Sequence, residues 1–252
     1  MGAFYDSVST SLDATPLGQL SLFLNLGYVA GEDDRSPIEL PASTLDRASV
    51  KLVLEVIGDL DISGFDILDV GAGRGGTLGT LISYFQPRSL TGVELSPVAA
   101  TFARRSLPGT NVQMLAGNAQ ALPFKSAVFD VVINIESSHC YPRVSRFYAE
   151  VRRVLRPHGV FLYCDLLDST VLSARKQELA DLGLQITVER DITANVLAAC
   201  DLVARRRMSS FSSAGNASLQ DFLAVPGSPT YRDLETGVKK FFIWRSAAGT
   251  SR

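Results

Sequence analysis

One stretch constrains this chain above all others: Ile67 to Gly76, reading ILDVGAGRGG. It ends a short apolar run, Phe65 to Val70, and leads into a segment with helical spacing, Thr77 to Phe85. Gly71, Gly73 and Gly76 satisfy the pattern G-x-G-x-x-G. Glycines so placed allow a tight turn between strand and helix and let the backbone approach a ligand. A buried strand feeding such a turn suits a sheet of parallel strands covered on both faces. The chain is therefore expected to be α/β.

The rest of the sequence repeats the alternation. Apolar runs recur at Ser89 to Glu94, Val112 to Ala116, Phe129 to Ile135 and Val160 to Asp165, with helical spacing at Pro97 to Leu107 and Tyr148 to Leu155. Ser96 and Pro97 form a helix start, a capping hydroxyl followed by proline at the first helical position. Gly183 to Ile192 and Lys239 to Ser246 read as two more strands. The pattern predicts a Rossmann-like, doubly wound, mostly parallel seven-stranded sheet with helices on both faces. Between the last two strands, about residues 193–238, two helices and a loop rich in Gly, Pro and Ser form a late insertion suited to a lid. Residues 1–60, with a helix at Ser49 to Leu60, are expected to form an N-terminal helical cap over the site, leaving 61–252 as the Rossmann-like domain. Ala247 to Arg252 is expected to fray.

Charge narrows the partners. Among 252 residues, 24 Lys and Arg face 26 Asp and Glu, so no overall field draws the protein to nucleic acid or an anionic membrane. Arg205-Arg206-Arg207 and Arg152-Arg153 with Arg156 fall in helix-like stretches and read as solvated faces. Cys140, Cys164 and Cys200 are far apart and outside any C-x-x-C pair, which favours neither a disulfide framework nor a zinc site. The opening MGAFYDSVSTSLDATPL lacks a basic start followed by an apolar run, and no segment approaches the roughly 20 apolar residues of a membrane span. A cytoplasmic protein without a membrane span is the expectation.

The glycine loop alone does not choose a cofactor, because dinucleotide enzymes share it. Glu94 closes the second strand, where a carboxylate accepts ribose hydroxyls from either kind. Asp69, two residues before Gly71, separates them. A carboxylate there crowds a pyrophosphate but suits a phosphate-free cofactor bearing a sulfonium and an ammonium. Gly117 to Phe124 (GNAQALPF) adds Asn118, able to reach an adenine amine. Phe129 to Ser137 (FDVVINIES) and Leu155 to Gly159 (LRPHG) complete an ordered series. A nicotinamide-dependent oxidoreductase would explain the glycines and Glu94 but neither Asp69 nor GNAQALPF.

Together these segments resemble the class I methyltransferases over about residues 60–165. ILDVGAGRGG is similar to their first motif, VELS (Val93 to Ser96) to the second-strand acidic motif, GNAQALPF to the adenine loop and LRPHGVFLYCD to the fifth-strand region. The resemblance implies an enzyme using S-adenosylmethionine, held by Asp69, Gly71, Ala72, Gly73, Glu94, Leu95, Asn118, Ala119, Gln120, Glu136 and Ser137. The chain departs from the family in two places: Asn118 replaces the usual Asp, and Pro157-His158-Gly159 replaces Pro-Gly-Gly.

The flanks FYD (Phe4 to Asp6), FLNLGY (Phe23 to Tyr28), ESSHCYP (Glu136 to Pro142), RDITANVLAACD (Arg190 to Asp201) and FLAVPGSP (Phe222 to Pro229) resemble a narrower subgroup. Its members are small-molecule methyltransferases of secondary metabolism, including antibiotic biosynthesis: O-methyltransferases of polyketide lipids and macrolides, and C-methyltransferases of indole alkaloids. By that likeness the N-terminal helix and the Gly-Tyr turn fold over the cofactor, with Tyr5 and Tyr28 covering it. As ordinary amphipathic residues, both would simply pack a cap.

Methyl transfer from a sulfonium is an in-line displacement, in which the enzyme supplies position and excludes water. A hydroxyl acceptor needs a base for its proton. His139 is the candidate, just past the carboxyl end of the fourth strand, where open α/β sheets bind ligands. The other histidine, His158, sits in a turn and reads as structural, and Cys140 reads as packing. Tyr141, Phe222 and Val225 are substrate-lining candidates; with Phe211 and Leu223 they would favour a hydrophobic acceptor such as a polyketide or terpenoid. The Asn/Asp-Pro-Pro-Tyr/Phe motif of nucleic-acid amino-methyltransferases is replaced by Asn134-Ile135-Glu136-Ser137, so no nucleic-acid acceptor is expected. Asp165, Asp168 and Asp191 lack a diagnostic metal spacing, and no metal is expected.

The expected reaction is methylation of a small hydrophobic molecule at a hydroxyl oxygen. C- or N-methylation, or a cyclase that binds S-adenosylmethionine without transferring its methyl, are the alternatives. The residues set no oligomeric state, and a homo-oligomer exchanging its N-terminal segments is compatible with the family likeness.

Overall fold

The computed structural model describes residues 2–107, 112–209 and 217–249. Its strands are β1 (Asp66–Val70), β2 (Ser89–Glu94), β3 (Val112–Ala116), β4 (Phe129–Ile135), β5 (Leu155–Asp168), β6 (Leu184–Asp191) and β7 (Lys239–Ala248). They form one sheet in the order β3-β2-β1-β4-β5-β7-β6. The first five are parallel, and β7 runs antiparallel between β5 and β6. This is the doubly wound, seven-stranded arrangement expected from the sequence. The winding reverses between β1 and β4, so the loops leaving their carboxyl ends diverge and open a crevice.

The central strands are apolar on both faces, as burial demands. Ile67, Leu68, Val131, Val132 and Ile133 have no exposed surface. One face is covered by α3 (Arg47–Ile57), α4 (Gly76–Tyr84) and α5 (Pro97–Ser106), through Leu52, Val53, Leu78, Leu81 and Ala103. The other is covered by α6 (Val144–Val154) and α7 (Leu172–Asp181), through Phe147, Tyr148, Val151 and Leu179. Each such large side chain contributes about 1.5–3 kcal/mol on burial. Ser96 caps α5 as expected, its Oγ accepting from Ala99 N at 3.1 Å.

Two helices precede this core: α1 (Gly2–Asp13) and α2 (Pro16–Leu20). Among the described residues the late insertion holds three helices, not two: α8 (Thr193–Ser209), α9 (Ala217–Phe222) and α10 (Pro229–Glu235). The third helix starts where Ser228 Oγ accepts from Tyr231 N and Pro229 takes the first position, a signal the loop-like composition hid. Phe211 lies outside the described residues.

Two boundaries also differ from expectation. The turn around His158 is a bulge inside β5, because Phe129 pairs with Leu155 and Val131 already pairs with Val160. Ala247 and Ala248 do not fray; they are held in β7 against Val160 and Leu184.

Candidate active site

A cavity of about 650 Å³ lies at the carboxyl ends of β1, β2 and β4, under α1, the 22–26 segment and α9. Its floor is the glycine loop. Gly71 N and Ala72 N donate to Val93 O at 2.8 and 3.1 Å, tying the loop to β2. Gly71 has φ +79°, and a Cβ there would run into the Ser137 hydroxyl, so both conformation and space demand glycine.

Glu94, ending β2, holds the next wall. Its Oε2 accepts from Gly73 N at 2.9 Å and its Oε1 from Ser96 N at 2.8 Å. Leu95 and Ala119 line the same end. Asn118 Oδ1 accepts from Gln120 N at 2.9 Å, and Gln120 Oε1 in turn accepts from Arg143 N at 2.9 Å, which makes this loop a rigid shelf.

Asp69 does not line the cavity. It lies within β1, 1% exposed, and its Oδ2 has no hydrogen-bond partner among the described residues. Burial, reinforced by the Glu94 charge, pushes this carboxyl up to about 8. A buried acceptor without a donor, next to the glycine loop, favours a cationic ligand.

Beyond β4 the chain turns sharply. Glu136 has φ +50°, and both its carboxylate oxygens accept from Leu26 N, at 2.8 and 2.9 Å. Asn134 Nδ2 donates to Val70 O and to Ser137 Oγ, both at 2.7 Å, and Tyr141 OH lies 2.7 Å from Ser137 Oγ. Glu136, Ser137 and Tyr141 therefore all face the cavity with positions set by hydrogen bonds.

His139 sits in the short turn Ser138–Cys140. Its Nδ1 lies 2.6 Å from Asp165 Oδ1, and its backbone N donates to Asp165 Oδ2 at 3.0 Å. Asp165 is fully buried near the end of β5 and also accepts from the Ser138 hydroxyl at 2.7 Å. Burial works against the imidazolium, but the Asp165 charge and hydrogen bond outweigh it and hold His139 well above its usual range. With Nδ1 committed to Asp165, Nε2 is the ring nitrogen left for a proton. Next to it, Cys140 Sγ lies 3.2 Å from Tyr5 OH, so α1 is joined to this corner.

Besides Asp69, two more expected site residues are elsewhere. Tyr28 does not line the cavity; it is 2% exposed, donating to Asp34 Oδ1 at 2.8 Å and accepting from Arg190 Nη2 at 3.1 Å. Val225 also faces away, packed with Leu12, Leu219 and Leu223. Tyr5 and Phe222 do line the cavity, with ring centroids 6.1 Å apart.

Sequence reading missed Asp165 as the partner of His139, and missed Asn25 and Leu26. It also missed Arg74, whose place between glycines gave no sign that it would be fully buried. Its guanidinium donates to Ser9 O, Gly18 O, Ser21 O and Asp13 Oδ1, and stands 3.3 Å over the Phe102 ring. One side chain thus fastens α1 and α2 to the glycine loop.

The family model for a methyltransferase domain matches residues 68–163. A phthiotriol/phenolphthiotriol dimycocerosates methyltransferase of Mycobacterium leprae is 37% identical over 239 residues, covering 90% of this chain and 85% of that protein. The chain belongs to the S-adenosylmethionine-dependent methyltransferases. This methyltransferase is also 38% identical to a fatty-acid O-methyltransferase of Mycolicibacterium smegmatis, over 70% of this chain and 64% of that one. Solved structures share its fold at lower identity. Geranyl diphosphate C-methyltransferase from Streptomyces coelicolor has a TM-score of 0.68 at 18% identity, covering 97% of both chains. The cyclase SpnF has a TM-score of 0.74 at 18% identity, covering 99% of this chain and 95% of that one.

Proposed function

We propose that this methyltransferase methylates a hydroxyl oxygen of a small hydrophobic molecule, a lipid-like product of secondary metabolism, with His139 as the general base. The observation that carries the reading is the His139–Asp165 pair, set into the wall of the same cavity that the glycine loop and Glu94 floor.

The residues present fit the cofactor. Asn118, Ala119, Gln120 and Leu95 offer an adenine shelf, Glu94 a ribose acceptor, and Gly71 to Gly73 the loop against which the amino-acid tail lies. Glu94, Glu136 and Asp168 line the cavity, while the lining cations Arg74, Arg175 and Lys239 are each ion-paired, with Asp13, Glu178 and Asp233. The resulting field suits a ligand carrying a sulfonium and an ammonium. S-adenosylmethionine, when bound, supplies the electrophilic methyl group.

The protein's own part is positional and protolytic. Leu166, Leu167, Val171, Pro142 and Phe222 give the cavity apolar lining beside the polar Asp168, Arg175, Thr230 and Lys239. That lining supports a hydrophobic acceptor, as do the names of the two relatives, a dimycocerosate and a fatty-acid enzyme. His139 Nε2 takes the hydroxyl proton as the oxygen becomes methylated, and Asp165 holds the imidazole orientation and balances the imidazolium. Tyr5, Phe4 and Phe222, in edge-to-face contact at 5.5 to 6.1 Å, exclude water above.

The test is methyl transfer to a panel of hydroxylated lipids by the wild type and His139→Ala, with S-adenosylhomocysteine affinity measured in parallel. Turnover should fall about 10²–10⁴-fold with affinity unchanged. Undiminished turnover would remove His139 from the chemistry.

A further inference from the structure

The 22–26 segment crosses the glycine loop at close range. A Cβ on Gly76 would run into the Phe23 ring, a Cβ on Gly73 would lie 3.7 Å from Leu24 Cδ1, and Leu26 N is clamped by Glu136. Asn25 is held between these fixed neighbours. It lines the cavity, is 8% exposed, and donates from Nδ2 to Ser49 O at 3.3 Å. Its Oδ1 has no partner among the described residues. A buried amide oxygen left without a donor is destabilising, so its retention in a cavity wall points to a ligand donor.

The direction of the cavity says which donor. The adenine shelf is at Asn118 to Gln120 and the ribose wall at Glu94, so the cofactor's amino-acid tail lies toward the glycine loop and Glu136. At that end a second orphaned oxygen, Asp69 Oδ2, sits below the loop. Among the groups of that tail, only the α-ammonium donates hydrogen bonds.

We propose that Asn25 is a cofactor-binding residue whose Oδ1 accepts the α-ammonium of the amino-acid tail, making the cap segment part of the recognition of that tail. This rests on the cofactor placement proposed above. Asn25 would then read the one part of S-adenosylhomocysteine that 5′-methylthioadenosine lacks.

The experiment is calorimetric titration of wild type, Asn25→Ala and Asn25→Asp with S-adenosylhomocysteine and with 5′-methylthioadenosine. Asn25→Ala should bind S-adenosylhomocysteine about 10-fold more weakly, with 5′-methylthioadenosine affinity within about twofold, as loss of one charged hydrogen bond implies. Asn25→Asp keeps an acceptor and loses Nδ2, so it should retain the wild-type preference between the two ligands. Equal weakening toward both ligands in Asn25→Ala, or loss of the preference in Asn25→Asp, would assign the effect to the Ser49 contact and overturn the proposal. Failure of the wild type to bind S-adenosylhomocysteine would overturn the cofactor placement itself, a separate result.

Discussion

Asp165 Oδ1 lies 2.6 Å from His139 Nδ1; the carboxylate is fully buried, while the imidazole keeps 30% of its side-chain surface. A buried carboxylate behind a half-exposed imidazole fixes the ring, its tautomer and its charge together. Asp165→Asn should therefore lower kcat by about 10²–10⁴-fold while leaving S-adenosylhomocysteine affinity intact. Equal loss of affinity would show a folding defect in place of a catalytic one.

On the proposed mechanism, the pair also sets the pH dependence. His139 acts as a base only when neutral, and Asp165 holds its pKa above the ordinary value of about 6.5. In the free enzyme the acidic limb of kcat/KM should thus fall above pH 6.5, and a variant that removes the Asp165 charge should move it down. The check is the pH profile of Asp165→Asn, whose limb should lie on the acid side of the wild type's.

Asp69 makes a prediction of opposite character. Its folded pKa of about 8 exceeds the unfolded value, so the fold prefers the protonated acid. Its contribution is present at low pH and is lost as pH rises from about 4 through about 8. Ligand-free Asp69→Asn should therefore melt higher than the wild type above pH 8, by about 2–4 °C for each kcal/mol recovered. Above pH 8, where the wild-type carboxyl is ionised, the same variant should bind S-adenosylhomocysteine more weakly, because the cationic tail loses its counter-charge. Thermal melts across pH, with and without ligand, test both halves.

Arg74→Ala should release the cap. It removes donors from three carbonyls and separates Asp13 from its cation, for a loss of at least about 1–3 kcal/mol. Limited proteolysis should then cut first within α1 or α2, and cofactor affinity should drop with it. Unaltered cleavage would mean that Val8 and Leu12, packed against Leu219 and Leu223, hold the cap by themselves.

Phe222→Ala should act on the acceptor. The ring lines the cavity against Tyr5, on the side proposed for the acceptor. Steady-state kinetics should show KM for a hydrophobic acceptor rising about 10-fold, with cofactor affinity unchanged, as expected when one aromatic contact is lost.

The sheet and the loop geometry at its carboxyl edge were legible along the chain. Glycines with positive φ, an acidic residue closing β2 and apolar runs of strand length act through adjacent residues, so their meaning survives without coordinates. His139 was legible for the same reason, as the turn after β4 is local. What surrounds it was not. Asp165 meets His139 only because β4 and β5 are neighbours in register, Ile135 beside Cys164. Tyr28 and Val225 were misplaced because each had two compatible surroundings, and the partners that chose between them, Arg190 and Leu12, are remote in the chain. Arg74 and Asn25 carry no local signature at all; the docking of the N-terminal segment over the glycine loop gave the first its acceptors and left the second an empty one. Local conformational rules are written along the chain, whereas charge pairing and burial depend on which distant segments the sheet order brings together.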